Sequence, residues 1–152
     1  MVVGDRIEKT IVLKAPRSRV WRAIADSQQF GAWFLVKFDA PFVAGKSLRG
    51  QITHPGYEHL TMDVHVERIE PERLFSYRWH PYAVKPEQDY AQEPTTLVEF
   101  TLTETADGTQ LTIVESGFDK LSPSRRAEAY PMNDSGWAQQ CTNIARYVAA
   151  QQ

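Results

Sequence analysis

Between Leu60 and Glu67 apolar and polar residues alternate strictly: Leu60, Met62, Val64 and Val66 point one way, and Thr61, Asp63, His65 and Glu67 the other. A period of two marks a strand with one buried and one solvated face. The same reading predicts strands over Arg6–Leu13 and Leu48–Thr53, and over Leu74–His80, where Phe75, Tyr77 and Trp79 share a face opposite Ser76 and Arg78. Two β-branched runs, Thr95–Thr105 and Thr109–Ser116, are joined through Asp107-Gly108, a dipeptide that favours a tight hairpin turn. Pro55-Gly56 supplies the fixed φ and the positive φ of a type II turn.

The period lengthens at both ends. Pro16 suits the first position of a helix, because its φ is preset and its missing N–H has no partner to lose there. Val20, Trp21 and Ile24 give that short helix an apolar face, and a second short helix is predicted around Gln28 to Trp33. Ser122-Pro123-Ser124 opens a long C-terminal helix in which Tyr130, Trp137, Cys141, Ile144 and Val148 form one apolar stripe at spacings of three, four and seven. Pro131 and Gly136 interrupt the stripe and predict a kink or break. Lys37–Ser47, with Pro41 and Gly45, reads as strand ends and turn, and Pro81–Pro94 as a surface excursion between strands.

One strand, two short helices, about six more strands and a long helix, without βαβ alternation, specify an α+β fold with an antiparallel sheet. The helix stripe must be buried somewhere. The large apolar surface available is the sheet face carrying Val64, Tyr77, Trp79, Phe100 and Leu102. A chain of 152 residues suits one domain with a sizeable core. Lys and Arg number 17 against 19 Asp and Glu, with no basic block, so neither a nucleic acid nor an anionic membrane is indicated as partner. Gly4, Asp5, Arg6 and Glu8 interrupt any apolar leader, and no stretch approaches the roughly 18 apolar residues of a membrane span, so a cytoplasmic protein is expected. The single cysteine, Cys141, fits a reducing compartment.

Candidate chemistry is sparse. His59, Asp63 and His65 share a strand face, but successive same-face residues lie nearly 7 Å apart at about 3.3 Å rise each, which favours a solvated surface over zinc. No nucleophile elbow, phosphate-cradling loop or His-Glu-x-x-His motif occurs, and no cofactor or metal is expected. Cys141 on the inward stripe reads as a small buried hydrophobe. Glu115 is the residue of most interest. Alternation from Leu111 and Ile113 turns it inward, where Arg78, Tyr77 or Tyr130 could pair with it; it is a ligand anchor, an acid in cyclase-like chemistry, or a strand-end residue in water or an ion pair. The four tryptophans, Trp21, Trp33, Trp79 and Trp137, supply either core packing or a cavity wall.

Ile11 with Ala15-Pro16, Val20-Trp21-x-Ala23, Trp33-Phe34, Glu70-Pro71-x-Arg73-Leu74, Thr96-x-Val98-x-Phe100, Gly108-Thr109-x-Leu111, Glu115-Ser116-Gly117-Phe118 and Gly136-Trp137 follow one another in a familiar order. The chain resembles the Hsp90-ATPase-activator-homologue-like family of the START, or Bet v 1-like, superfamily over nearly its whole length. The resemblance implies a helix-grip fold, a seven-stranded antiparallel sheet curved around the C-terminal helix with an apolar cavity between them. Its namesake eukaryotic cochaperone carries a further N-terminal domain for which this chain has no room, and Cys141 stands where relatives more often place a leucine.

The expected function is therefore a binding module for an apolar or amphipathic small molecule. Val64, Tyr77, Trp79, Phe100 and Ile113 would line its cavity from the sheet side with Glu115 as polar anchor, Tyr130, Trp137 and Cys141 from the C-terminal helix, and Trp33 from the second short helix. Its mouth is expected near Trp33, the Gly45 turn and the Pro81–Pro94 excursion. The rival expectations are an interaction protein docking on a chaperone or other partner, and a cofactor-free cyclase- or hydrolase-like enzyme using Glu115 with Tyr77 or Tyr130.

Overall fold

The computed structural model describes residues 5–85 and 88–150. Strand β1 (Arg6–Leu13) leads into helices α1 (Arg17–Ala25) and α2 (Ser27–Phe34), followed by β2 (Val36–Phe38), β3 (Ser47–Ile52), β4 (Thr61–Glu70), β5 (Leu74–Trp79), β6 (Thr96–Thr105) and β7 (Gly108–Ser116). A short 3-10 turn, Phe118–Lys120, precedes the long helix α3 (Pro123–Ala150). The seven strands form one sheet in the order β1-β7-β6-β5-β4-β3-β2, with every neighbouring pair antiparallel. The α+β class with an antiparallel sheet is the one the hydrophobic pattern predicted, and the seven-stranded helix-grip arrangement is the one the resemblance implied.

The period-two pattern dictates what each face carries. One cross-strand row runs Val66, Tyr77, Val98, Glu115, Ile7, and all five side chains are buried. A neighbouring row joins Phe75, Phe100 and Ile113. Against these rows pack α2, through Phe30, and α3, through Trp137, Ile144 and Val148. Arg78 lies on the outer face, paired with His65 in register and hydrogen-bonded through Nε to Glu67 at 2.8 Å. A β-bulge between Val66 and Arg68 leaves Glu67 free to make that bond. Arg78 is thereby spent on the surface, away from Glu115.

Three local details refine the sequence reading. The Pro55-Gly56 turn forms as predicted, with Gly56 at φ +91° and Tyr57 N–H donating to His54 O at 2.9 Å. The β6–β7 hairpin also forms, but Thr105 pairs with Gly108, so its two loop residues are Ala106 and Asp107. Gly108 is needed for another reason: at φ +147° a Cβ there would stand 2.1 Å from the Leu13 carbonyl oxygen. The expected break in α3 is absent, and the helix runs unbroken through Pro131 and Gly136. Pro131 cannot donate to the carbonyl of Ala127, but both residues are exposed, so that carbonyl can turn to water.

Helix α2 is placed by a sharp reversal. Asp26 caps it by accepting from Gln28 N–H (2.9 Å) and Gln29 N–H (3.2 Å). Leu35 closes it in the left-handed region at φ +67°, an unusual conformation for a bulky residue. The chain then folds back so tightly that a Cβ on Gly31 would meet Val36 O at 2.0 Å. The reversal brings Phe34, the last residue of α2, against Trp79 of β5 and Trp137 of α3.

Candidate ligand-binding site

Glu115 is fully buried, and every group that meets its carboxylate donates a hydrogen bond. Oε1 accepts from Trp137 Nε1 at 2.8 Å and from Asn133 Nδ2 at 2.9 Å. Oε2 accepts from Trp79 Nε1 at 2.8 Å, from Thr96 Oγ1 at 2.5 Å and, more weakly, from Asn133 Nδ2 at 3.2 Å. Such a set suits an acceptor-only carboxylate and saturates its roughly four lone-pair directions. Among the described residues no cation pairs with it. Lys9, two positions along β1 from Ile7, which stands opposite Glu115 on β7, gives its ammonium to Asp134 at 2.9 Å. The structure thus holds the buried carboxyl group on neutral hydrogen-bond donors alone.

Tyr77 extends the same row. Its hydroxyl is buried and finds no hydrogen-bond partner among the described residues. Burial, with the nearby negative charge of Glu115, pushes the phenol well above its ordinary value, so it stays neutral over the physiological range.

In front of the carboxylate cluster lies a pocket of about 180 Å³, lined by Phe34, Trp79, Asn133, Gly136, Trp137 and Gln140. Its three rings pack against one another along one side of it: Phe34 is 6.2 Å from Trp79 and 6.0 Å from Trp137, inclined at 63° and 61°, and the two indoles are 5.9 Å apart at 38°. Both indoles point their N–H edges inward at Glu115 while their rings border the pocket. At about 30 Å³ for each water, the space is that of about six waters, well below the pockets of about 300 Å³ or more that hold drug-sized molecules. Gly136, one of the lining residues, is exposed, and an added Cβ there would meet nothing within 4 Å.

The residues expected to line a cavity are therefore divided. Trp79 and Trp137 border the pocket and Glu115 backs it. Val64, Tyr77, Phe100 and Ile113 lie in the packed core, where Phe30 of α2 fills the space between sheet and helix, edge-on to Tyr77 and Phe100. Trp33 ties α2 to α1 by donating from Nε1 to Ala23 O at 2.8 Å. Tyr130 stacks edge-on to Phe118 and donates to Arg6 O at 2.9 Å, so it is not a partner of Glu115. Cys141 borders a larger, shallower groove of about 560 Å³ between β1 and α3, and burial raises its thiol above the ordinary value. Phe34, Thr96, Asn133, Gly136 and Gln140 escaped the sequence reading. Asn133 carried a signal, since it lies three residues after Tyr130 and four before Trp137, a polar residue in register with an apolar stripe.

The Pro81–Pro94 excursion and the Gly45 turn contribute no described residue to the pocket wall. The excursion is fastened to α3 by Arg125, which donates to Glu93 Oε1 (2.7 Å), Pro81 O (2.6 Å) and Glu128 Oε1 (2.9 Å) and lies 4.9 Å over the Tyr90 ring. The fastening holds the chain just beyond Trp79. On the outer face, Asp63 is taken by Arg49 at 2.6 Å and His65 by Ser47 at 3.0 Å; among the described residues no group of three or more His, Cys, Asp or Glu gathers as a metal site would require.

Residues 14–149 match the family described as activator of Hsp90 ATPase homolog 1-like protein. The chain belongs to this family. Its fold is similar to that of protein MLL2253 from Mesorhizobium loti, with a TM-score of 0.76 and 24% identity over 97% of this chain and 98% of that one. It is similar also to DynU16 of the dynemicin biosynthetic locus, with a TM-score of 0.75 and 24% identity over 98% of this chain but 49% of that one. A third likeness is to the Aha1 dimer from Colwellia psychrerythraea, with a TM-score of 0.70 and 14% identity over 97% and 96% of the two chains. At these identities the likeness is one of fold. No curated protein sequence matches the chain. Among its described residues no helix is long and apolar enough to cross a membrane.

Two expectations follow for the carboxylate cluster. Trp137→Ala removes a buried ring and should destabilise by about 3–5 kcal/mol, whereas Trp137→Phe keeps most of the packing and removes one of the two donors to Glu115 Oε1, leaving Asn133, at a cost of about 1–3 kcal/mol. Urea unfolding measures both; a Phe variant within about 0.5 kcal/mol of the parent would show the indole N–H to be unengaged. Tyr77→Phe deletes an unpartnered hydroxyl, so at pH 7 it should be neutral or stabilising by about 1 kcal/mol. Because the folded-state pKa of Tyr77 is raised, its contribution is intact below the unfolded value of about 10 and is lost as pH rises beyond it. The gap between parent and Tyr77→Phe should therefore widen above pH 10; a constant gap would contradict the burial of the phenol.

Proposed function

We propose that this family member binds a small molecule in the pocket between α2, β5 and α3, with the indole rings of Trp79 and Trp137 as walls and the Glu115 cluster as its polar base. The observation that carries this reading is Gly136. A glycine inside a helix costs roughly 0.5–1 kcal/mol relative to alanine, and here no neighbouring atom requires it. Its bare backbone adds no side chain to the pocket it lines. The surrounding chemistry agrees: apolar walls with a few convergent polar groups, Asn133 and Gln140 among them, are the usual make-up of a small-molecule site. A catalytic reading gains less support, because Glu115 has its acceptor positions filled and Tyr130 bonds elsewhere, leaving neither poised to move a proton.

A second reading rests on the groove between β1 and α3. β1 is an edge strand, Val12 is 51% exposed, and Ile11, Val12, Ala138 and Ala145 line a shallow trough there together with Lys9, Thr10 and Thr142. An exposed edge beside an apolar surface can receive a protein partner, a chaperone or a second copy, and the Colwellia protein of this fold is a dimer.

Native mass spectrometry of freshly purified protein tests the first reading. One small molecule should be retained per chain, and Gly136→Leu, which extends a side chain into the pocket, should remove it while the protein stays folded. Equal retention by the two proteins would place the ligand elsewhere, and no retention by either would overturn the reading. For the second, sedimentation velocity should show association that Val12→Asp abolishes; a monomer at all concentrations, with or without added chaperone, would dismiss it.

A further inference from the structure

The geometry points to a small organic cation, an alkylated ammonium, as the ligand class of this pocket. The inference deepens the small-molecule reading and rests on it. Three observations converge. First, three aromatic walls, Phe34, Trp79 and Trp137, border one space with centroids 5.9–6.2 Å apart, and an ammonium within about 6 Å of such faces is attracted by the ring quadrupoles, most strongly by indole. Second, the buried carboxylate directly behind these rings is met by neutral donors alone, and a cation is the partner it lacks among the described residues.

Third, the polarity of the walls is fixed by the hydrogen bonds themselves. Trp79 and Trp137 each donate their N–H to Glu115, which turns the electropositive edge of each indole inward and pushes electron density toward the ring faces. Thr96 does the same with its hydroxyl, and Asn133 turns its amide N–H toward the carboxylate. Four donors beside the pocket, both indole N–H groups, the Thr96 hydroxyl and the Asn133 amide, are thus turned to the carboxylate. What the aromatic walls offer is ring faces, which match a cation, and the other polar side chain of the lining is Gln140, whose Oε1 accepts from Asn143 Nδ2 at 3.0 Å. The space of about 180 Å³ excludes a long alkyl chain and suits a compact head such as a tetraalkylammonium.

Choline and its uncharged carbon isostere, 3,3-dimethyl-1-butanol, separate charge from shape. Titrated calorimetrically and by tryptophan emission, the parent protein should bind choline at least tenfold more tightly than the alcohol. Glu115→Gln should reduce choline affinity about tenfold and leave the alcohol unchanged; should that variant fail to fold, Trp79→Leu, at a half-buried position, should abolish the preference for choline. Gly136→Leu should eliminate binding of both. Equal affinity for the two probes would overturn the cation inference and leave small-molecule binding intact. Failure to bind choline, with a retained molecule still found by native mass spectrometry, would do the same. Failure of both measurements would remove the binding reading as well.

Discussion

A carboxylate buried without a cation is among the more expensive things a small protein can contain, and here it organises its surroundings. Glu115 is held only while Trp79, Thr96, Asn133 and Trp137 all face it, and those donors come from β5, β6 and α3. The sheet and the long helix are therefore keyed to each other at one point in rotation and translation. Sliding α3 by one residue along its axis, about 1.5 Å, or turning it by about 100°, would strand at least one oxygen in an apolar interior. Apolar packing alone tolerates such shifts far better, since exchange of one hydrophobic contact for another costs little. Dispersion and burial supply the bulk of the stability; the polar cluster selects which packing is adopted.

The same constraint explains why the cavity is small. In a helix-grip fold the space between sheet and helix is set by how far the helix stands off, and Trp137 must come close enough for its Nε1 to reach Glu115 at 2.8 Å. Once it does, the remaining interior is taken by α2, whose Phe30 meets Phe75, Tyr77 and Phe100. What survives is the corner at the end of α2, where Leu35 reverses the chain and Phe34 becomes a wall instead of a plug. Tyr77 shows the cost of this closeness: its hydroxyl is enclosed with no partner among the described residues, yet its ring is needed between Phe75 and Trp79.

The elements were legible because each has a strong local cause. Period-two alternation in β4, β-branched runs in β6 and β7, and the stripe of α3 act over a few residues and read directly from spacing. The inward aim of Glu115 followed from the same alternation. Its partners did not, since a donor on another strand or helix is adjacent only after the register of β5, β6 and α3 is set, and no local period encodes that register. Trp33 and Phe34 illustrate the limit: adjacent aromatics in one helix take different roles, one tying α2 to α1 and the other facing the pocket, and the choice is made by the turn at Leu35. Pro131 and Gly136 fail as helix breakers for opposite reasons. Pro131 loses its hydrogen bond on the solvent side, and Gly136 sits where the flanking turns are already fastened by the Asn133 and Trp137 bonds to the sheet.

Gly136 and Glu115, like Leu35, Pro131 and the Tyr77 hydroxyl, are places where the chain departs from what stability by itself would select. Alanine would suit the helix better, and an apolar residue would suit the strand. The first two lie in one region of the fold, Gly136 in the lining of the pocket and Glu115 behind the two indole rings that border it. Local rules are broken most economically where binding needs it, and the stability lost there is recovered from the seven-stranded sheet and the packed aromatic core beneath.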